Sequence, residues 1–229
     1  MEYNFSKLWA DQFMGFYDFK DLYEYASDEE SQKEYYKKLG STRSNEDTIT
    51  HNGEISDTLL EQYLIGNRKA LNVIKNHIIV FLFTRYEFVI QETVKCLICD
   101  NPLRIMELLK KQPDYEKTIG FSLVEFLRST SKEEYVMMMS ERLGSRILNG
   151  IPSKVIKRLQ NLINLHVSDL DILDNLMEKR NQIVHNGKVY DLEMEDLETY
   201  YEVIEKLLKS IALALKNIDI IVIDEGQLL

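Results

Sequence analysis

The chain has 229 residues, enough for one domain with additions or two small ones, and 45% of them are hydrophobic, enough for a sizeable core. Three prolines and nine glycines are too few for an all-β architecture built from many tight turns. A formal net charge of −10 excludes a protein that coats nucleic acid through a basic surface, so any RNA contact must be local, in a cleft that focuses a few positive groups.

The opening residues, MEYNFSKLWADQF, are mixed and acidic and lack the basic and apolar regions of a secretory leader. The longest uninterrupted apolar run, Ile78 to Phe83, is far too short to span a bilayer. The expectation is a soluble, cytoplasmic chain with no membrane contact.

Residues 1–54 form a distinct N-terminal extension, rich in aromatics and charge. They predict one or two short helices followed by a flexible loop at about 40–55. From residue 55 to 229 the pattern is that of a helical bundle. Ser56-Asp57 caps a long helix reaching about Cys99, with a bend expected near Gly66. Its centre, HIIVFLFTRYEFVI, is apolar nearly all round, as in the central helix of a bundle. Asn101-Pro102 stops it, and short helices follow at about 102–111 and 119–129.

Ser131 to Glu134 reads as a capping box that opens a helix to about Leu148. A helix at 153–165 follows the break at Gly150-Ile151-Pro152. Ser168 with Asp171 caps another to about His185, stopped by Asn186-Gly187, and the last long helix covers about 193–217. The β-branched tail IDIIVID suits a short edge strand or an extended strap. Helices in succession with short connections give an all-α antiparallel bundle with an N-terminal helical extension.

Cys96 and Cys99 are the only cysteines. No second pair and no nearby histidine completes a zinc site, so they read as semi-buried thiols in a reducing compartment. His51, His77 and His166 read as loop, helix-boundary and inter-helix residues rather than ligands.

The chemistry-bearing segment is SDLDILDNLMEKRNQIVHNGKVYD. On a helical wheel Leu170, Ile172, Leu173, Leu176, Met177, Ile183 and Val184 gather into one apolar arc, and Arg180 falls near its middle. A guanidinium cannot shed its proton to escape burial, so at such a position it is paired or faces a solvated groove. Asn181 and His185, four apart, share one flank of the helix near its end. The same residues also fit a structural role, with Arg180 in a salt bridge through the bundle and His185 at the helix C-terminus.

The segment LMEKRNQIVHNG resembles the R-x4-6-H motif of HEPN domains, where a polar residue commonly follows the arginine as Asn181 does here. The upstream run VFLFTRYEFVIQETV is similar to the first core helix of HEPN proteins of the RiboL-PSP and MAE-28990 kinds, in which an acidic residue occupies the position of Glu87. The resemblance covers roughly residues 60–215 and is most specific around 176–187.

The resemblance implies an endoribonuclease that cuts RNA through attack by the ribose 2′-hydroxyl, leaving a 2′,3′-cyclic phosphate, with no metal and no cofactor. It implies a homodimer in which motif helices of two chains face each other across a composite site. Arg180 would bind the scissile phosphate, His185 would act as general base or acid, Asn181 would orient the imidazole or the phosphate, and Glu87 would pair with Arg180. A toxin or anti-phage defence effector with RNA as substrate, held by an antitoxin or defence-system partner, follows from the same family. Some HEPN toxins carry a modified tyrosine two residues after the histidine. Gly187 stands there in this chain, and the nearest tyrosine is Tyr190. A non-catalytic HEPN module for dimerisation or partner binding is the alternative.

Overall fold

The structure, a computed structural model, describes residues 2–42, 56–106 and 123–228. In chain order its elements are β1 (Tyr3–Asn4), α1 (Phe5–Ser27), α2 (Glu29–Thr42), α3 (Asp57–Asp100), α4 (Leu123–Arg128), α5 (Lys132–Ile147), α6 (Pro152–Gln160), α7 (Leu170–Asn186), α8 (Met194–Lys216) and β2 (Val222–Ile223). The expected all-α bundle is what the chain forms.

The organising element is α3, whose 44 residues extend roughly 66 Å at 1.5 Å per residue. Ser56 caps it by accepting the Leu59 N–H at 3.4 Å, and Asn101 ends it. The helix continues unbroken through Gly66, where an added side chain would meet open space. Because its centre is apolar on most sides, it can be covered from several directions at once. Ile79, Leu82, Phe83, Tyr86, Val89 and Ile90 are all buried, and α1, α5, α7 and α8 pack around them.

The N-terminal residues form two helices, and α1 is long at 23 residues. Phe5, Leu8, Phe16 and Phe19 of α1 enter the same hydrophobic cluster as the centre of α3 and the inner face of α8. Phe16 stacks on Tyr201 with ring centroids 4.6 Å apart, and the Trp9 indole N–H donates to Glu205 at 3.0 Å. At Gly15 the approach is so close that a Cβ would lie 2.7 Å from the Phe81 ring. The tail resolves into β2, which pairs in parallel with β1 through Tyr3–Val222 and Asn4–Ile223. This small sheet joins the two ends of the chain beside α1 and α8.

Most expected boundaries fall within a residue or two of those observed. Ser131 caps α5 by accepting the Glu134 N–H at 3.1 Å, and the Glu134 carboxylate reaches back chiefly to the Thr130 N–H and hydroxyl, with a weaker bond from the Ser131 backbone. The helix expected to reach 165 ends at Gln160, whose side-chain amide donates to the Leu165 carbonyl at 2.9 Å and closes the turn. The cap of α7 is Asp169, in a left-handed conformation at φ 60°, while Ser168 donates to the Asp169 carboxylate at 2.7 Å. Of the loop expected at about 40–55, residues 40–42 still belong to α2 and 43–55 lie outside the described residues. Of the short helices expected at about 102–111 and 119–129, residues 107–111 and 119–122 lie outside the described residues, and α4 falls within the second.

Candidate active site

The motif helix α7 is fixed at both ends. Near its start Asp174 accepts the Ser153 N–H of α6 at 2.8 Å, and Asn175 accepts the hydroxyl of Tyr200 from α8. Leu173 and Leu176 are fully buried between them. At the other end Gly187 takes φ +62°, which lets the chain turn off the helix while its N–H bonds the Ile183 carbonyl at 3.1 Å.

Arg180 is half-buried at the seam between α7 and α3. Its guanidinium lies over the Phe83 ring, 5.6 Å from the centroid, and Nη1 donates to Asn181 Oδ1 at 3.0 Å. Its Nε is buried and has no hydrogen-bond partner among the described residues. Glu87 stands one turn beyond Phe83 on α3 and is half-buried. Burial raises the Glu87 carboxyl above the usual range, and the nearby Arg180 charge only partly offsets this. Among the described residues no salt bridge joins the two. Among the described residues the arginine is thus held by an aromatic face and an amide, and with Nε buried and one Nη1 hydrogen on Asn181, three terminal N–H donors are left over.

His185 is exposed, and among the described residues no hydrogen bond or ion pair holds its imidazole. Five residues separate it from Arg180, about 7.5 Å along the axis and about 140° around it. The chain therefore gathers Arg180, Asn181, Phe83 and Glu87 in one neighbourhood and leaves His185 outside it. Exposed Val184 and Val189 flank the histidine in sequence.

The raised carboxyl gives a test with a definite sign. A carboxyl whose folded value lies above its unfolded one contributes stability at low pH that is lost as pH rises through the folded value. Glu87→Gln removes that loss, so its melting temperature is expected to exceed that of the unmodified protein at pH 7–8. The gap should close as pH falls below the ordinary carboxylate range. Parallel melting curves across the two pH ranges would read it, and a gap that widens in acid would contradict the assignment.

Three residues that the sequence reading passed over position the motif. Asn72, Lys75 and Asn76 sit on one face of α3 and grip the loop after α7. Asn72 and Asn76 each donate a side-chain amide to the Tyr190 carbonyl, at 3.0 and 2.8 Å, and Asn76 accepts the Tyr190 N–H at 2.8 Å. Lys75 is only 6% exposed and donates to the Leu192 carbonyl, with its ammonium 5.5 Å from the Tyr23 ring of α1. The Tyr190 ring is flanked by the ammonium groups of Lys188 at 4.3 Å and Lys179 at 5.5 Å. The available signal was a polar i, i+3, i+4 set on an otherwise apolar helix, because such groups when buried need partners.

The remaining candidates are dispersed. His77 is exposed on α3, His166 is exposed between α6 and α7, and His51 lies outside the described residues. Among the described residues no three His, Cys, Asp or Glu side chains converge as a metal-binding group would, and no helix is long and apolar enough to cross a membrane. Cys96 is 1% exposed and Cys99 half-buried, and burial pushes the Cys96 thiol up to about 11. At pH 8 about one Cys96 in a thousand would be thiolate, so in native protein iodoacetamide is expected to mark Cys99 well before Cys96. Mass spectrometry of timed samples reads the order, and faster labelling of Cys96 would contradict its burial.

The all-helical bundle around α3 is of the HEPN type. The chain belongs to the RiboL-PSP-HEPN family, whose model matches residues 43–217. No curated protein and no solved structure matches it. The matched span takes in α3 to α8, whereas α1, α2 and both strands lie outside it.

Proposed function

We propose that this HEPN protein is a metal-independent endoribonuclease that works as a homodimer. The observation that carries the reading is Arg180: a half-buried cation with no salt bridge among the described residues, steadied by Phe83 and Asn181, on the same helix as an exposed imidazole that none of those residues engages. In the proposed step the ribose 2′-oxygen attacks the adjacent phosphorus as its proton passes to one His185. The bond from phosphorus to the 5′-oxygen breaks, and that oxygen takes its proton from the imidazolium so formed. The products are a 2′,3′-cyclic phosphate and a 5′-hydroxyl. Arg180 offers a planar fork of donors to the phosphate oxygens, where charge grows in the transition state. Asn181 keeps the fork oriented, and Glu87 biases its position through charge.

Arg180 and His185 diverge within one chain, so the reading places Arg180 of one protomer with His185 of its partner. Activity of this kind suits a toxin or an anti-phage effector restrained by a partner protein. The same divergence, with the net charge of −10, favours a second reading, a HEPN module that dimerises or binds a partner without catalysis.

The deciding experiment incubates the purified protein with mixed RNA in EDTA, beside Arg180→Ala and His185→Ala. Cleavage by the unmodified protein alone, with cyclic-phosphate ends, supports the nuclease. Identical behaviour of all three removes it. A monomer by light scattering at the assay concentration removes the composite site.

A further inference from the structure

We infer that the groove between α3 and α5 is a binding track for the ribose-phosphate backbone of single-stranded RNA leading to Arg180. This rests on the nuclease reading for its direction and on the groove's own chemistry for its ligand. The groove is open to solvent, has a volume of about 610 Å³ and is lined by Glu87 and Gln91 of α3 with Arg142, Ser145 and Arg146 of α5 and Asn149 beyond it. Ser145, Arg142, Gln91 and Asn149 are exposed, so polar groups meet solvent along its length, although the Ser145 hydroxyl donates to the Glu141 carbonyl and is left as an acceptor.

Three observations point to a polyanion. The first is alignment. Phe83, which carries Arg180, and then Glu87 and Gln91 are spaced i, i+4, i+8 on α3 and form one stripe. The stripe covers about 12 Å from the motif arginine into the groove. The second is donor placement. Arg142, Ser145, Arg146 and Asn149 follow at i, i+3, i+4 and i+7, so one side of α5 and its continuation presents two guanidinium groups interleaved with a hydroxyl and an amide. A strand of RNA offers phosphates to the first kind and 2′-hydroxyls to the second. In a chain with net charge −10, the guanidinium groups of Arg142 and Arg146, set beside the carboxylates of Glu87 and Glu125, are where a local RNA contact next to the motif can form.

The third observation is preorganisation. Glu125 of α4 takes Arg142 by both terminal nitrogens, at 2.8 and 2.6 Å. A fork held this way has a fixed direction and still has three N–H donors to offer. The floor is equally fixed, since α5 lies against α3 at Gly144, where a Cβ would sit 3.6 Å from Gln91 Cα.

The test measures binding apart from cleavage. Full-length His185→Ala protein is titrated with a fluorescein-labelled 12-nucleotide single-stranded RNA of mixed sequence, by anisotropy, at several salt concentrations. Adding Arg142→Ala is expected to weaken binding about 5–10-fold and to reduce the salt slope by roughly one phosphate contact. Ser145→Glu and Asn149→Glu alter exposed positions without opening the core. Each is expected to weaken RNA binding by at least about 10-fold through like-charge repulsion. DNA of the same sequence is expected to bind more weakly than the RNA.

Unchanged RNA affinity and salt slope in all three variants overturns the track. A changed oligomeric state in Ser145→Glu with RNA affinity intact also overturns it, and assigns the groove to a protein interface. If the unmodified protein binds RNA through these residues but never cuts it, the track stands and the nuclease reading falls. If it cuts RNA with the same KM in every groove variant, the nuclease reading stands and the track falls.

Discussion

His185→Ala is expected to lower RNA cleavage by about 10²–10⁴-fold while leaving RNA affinity nearly unchanged, because a general acid–base group acts on the reacting proton rather than on substrate binding. The exposed imidazole has no hydrogen bond or ion pair among the described residues, so its removal should leave the fold intact. Arg180 differs on both counts. Arg180→Lys keeps a positive charge but loses the planar fork that rests on Phe83 and bonds Asn181, and a loss of about 10²–10³-fold is expected. Arg180→Ala should cost at least as much in rate, and also weaken substrate binding.

The two alanine variants together give a sharper result. In a two-fold dimer whose sites pair Arg180 of one chain with His185 of the other, a mixed dimer of Arg180→Ala and His185→Ala chains keeps one intact pair. An equal mixture of the inactive variants, after subunit exchange, should recover up to about a quarter of full activity. Recovery would be absent if both residues served the same site from one chain. The same absence after verified exchange would rule out the trans pairing, whatever the activity of the unmodified protein.

How much of this was readable from the sequence depends on the kind of interaction. The bundle and its long central helix were legible because period and caps are local signals: Ser56, Asn101 and Ser131 act on the backbone within four residues. The shift of the α7 cap from Ser168 to Asp169 was not legible, since Asp169 caps from a left-handed backbone without a side-chain hydrogen bond to the helix, which leaves no residue-type signal to read. Arg180 was placed by its wheel position, which a single helix determines. What it rests on was not, because Phe83 lies nearly a hundred residues away in sequence. The groove was hidden for the same reason. Arg142 and Gln91 are unremarkable on their own helices, and only the packing of α5 on α3 puts them side by side.

The clamp on the motif loop gives the second large expectation. Asn76 is 2% exposed, and its amide joins the Tyr190 N–H, the Tyr190 carbonyl and the Asn72 carbonyl, each at 2.8 Å. Asn76→Ala removes all three and leaves the Tyr190 N–H without its partner. The Tyr190 carbonyl keeps its bond from Asn72. Lost bonds at about 1 kcal/mol each, together with one orphaned donor, should cost about 3–5 kcal/mol, or roughly 6–20 °C in Tm.

Asn76→Asp separates donation from burial. The carboxylate can still accept from Tyr190 but cannot donate, and a charge is now buried among carbonyls. Its folded-state value must rise, so the variant is expected to be least stable at neutral and alkaline pH. It should approach the unmodified protein as pH falls and the carboxyl regains a proton to donate. The loop begins at the Gly187 cap, so both variants should also lower kcat at temperatures where they are fully folded, with amide exchange quickened at 187–193. Unchanged exchange in that segment, with Tm lowered, would make Asn76 a packing residue and separate the clamp from the positioning of His185.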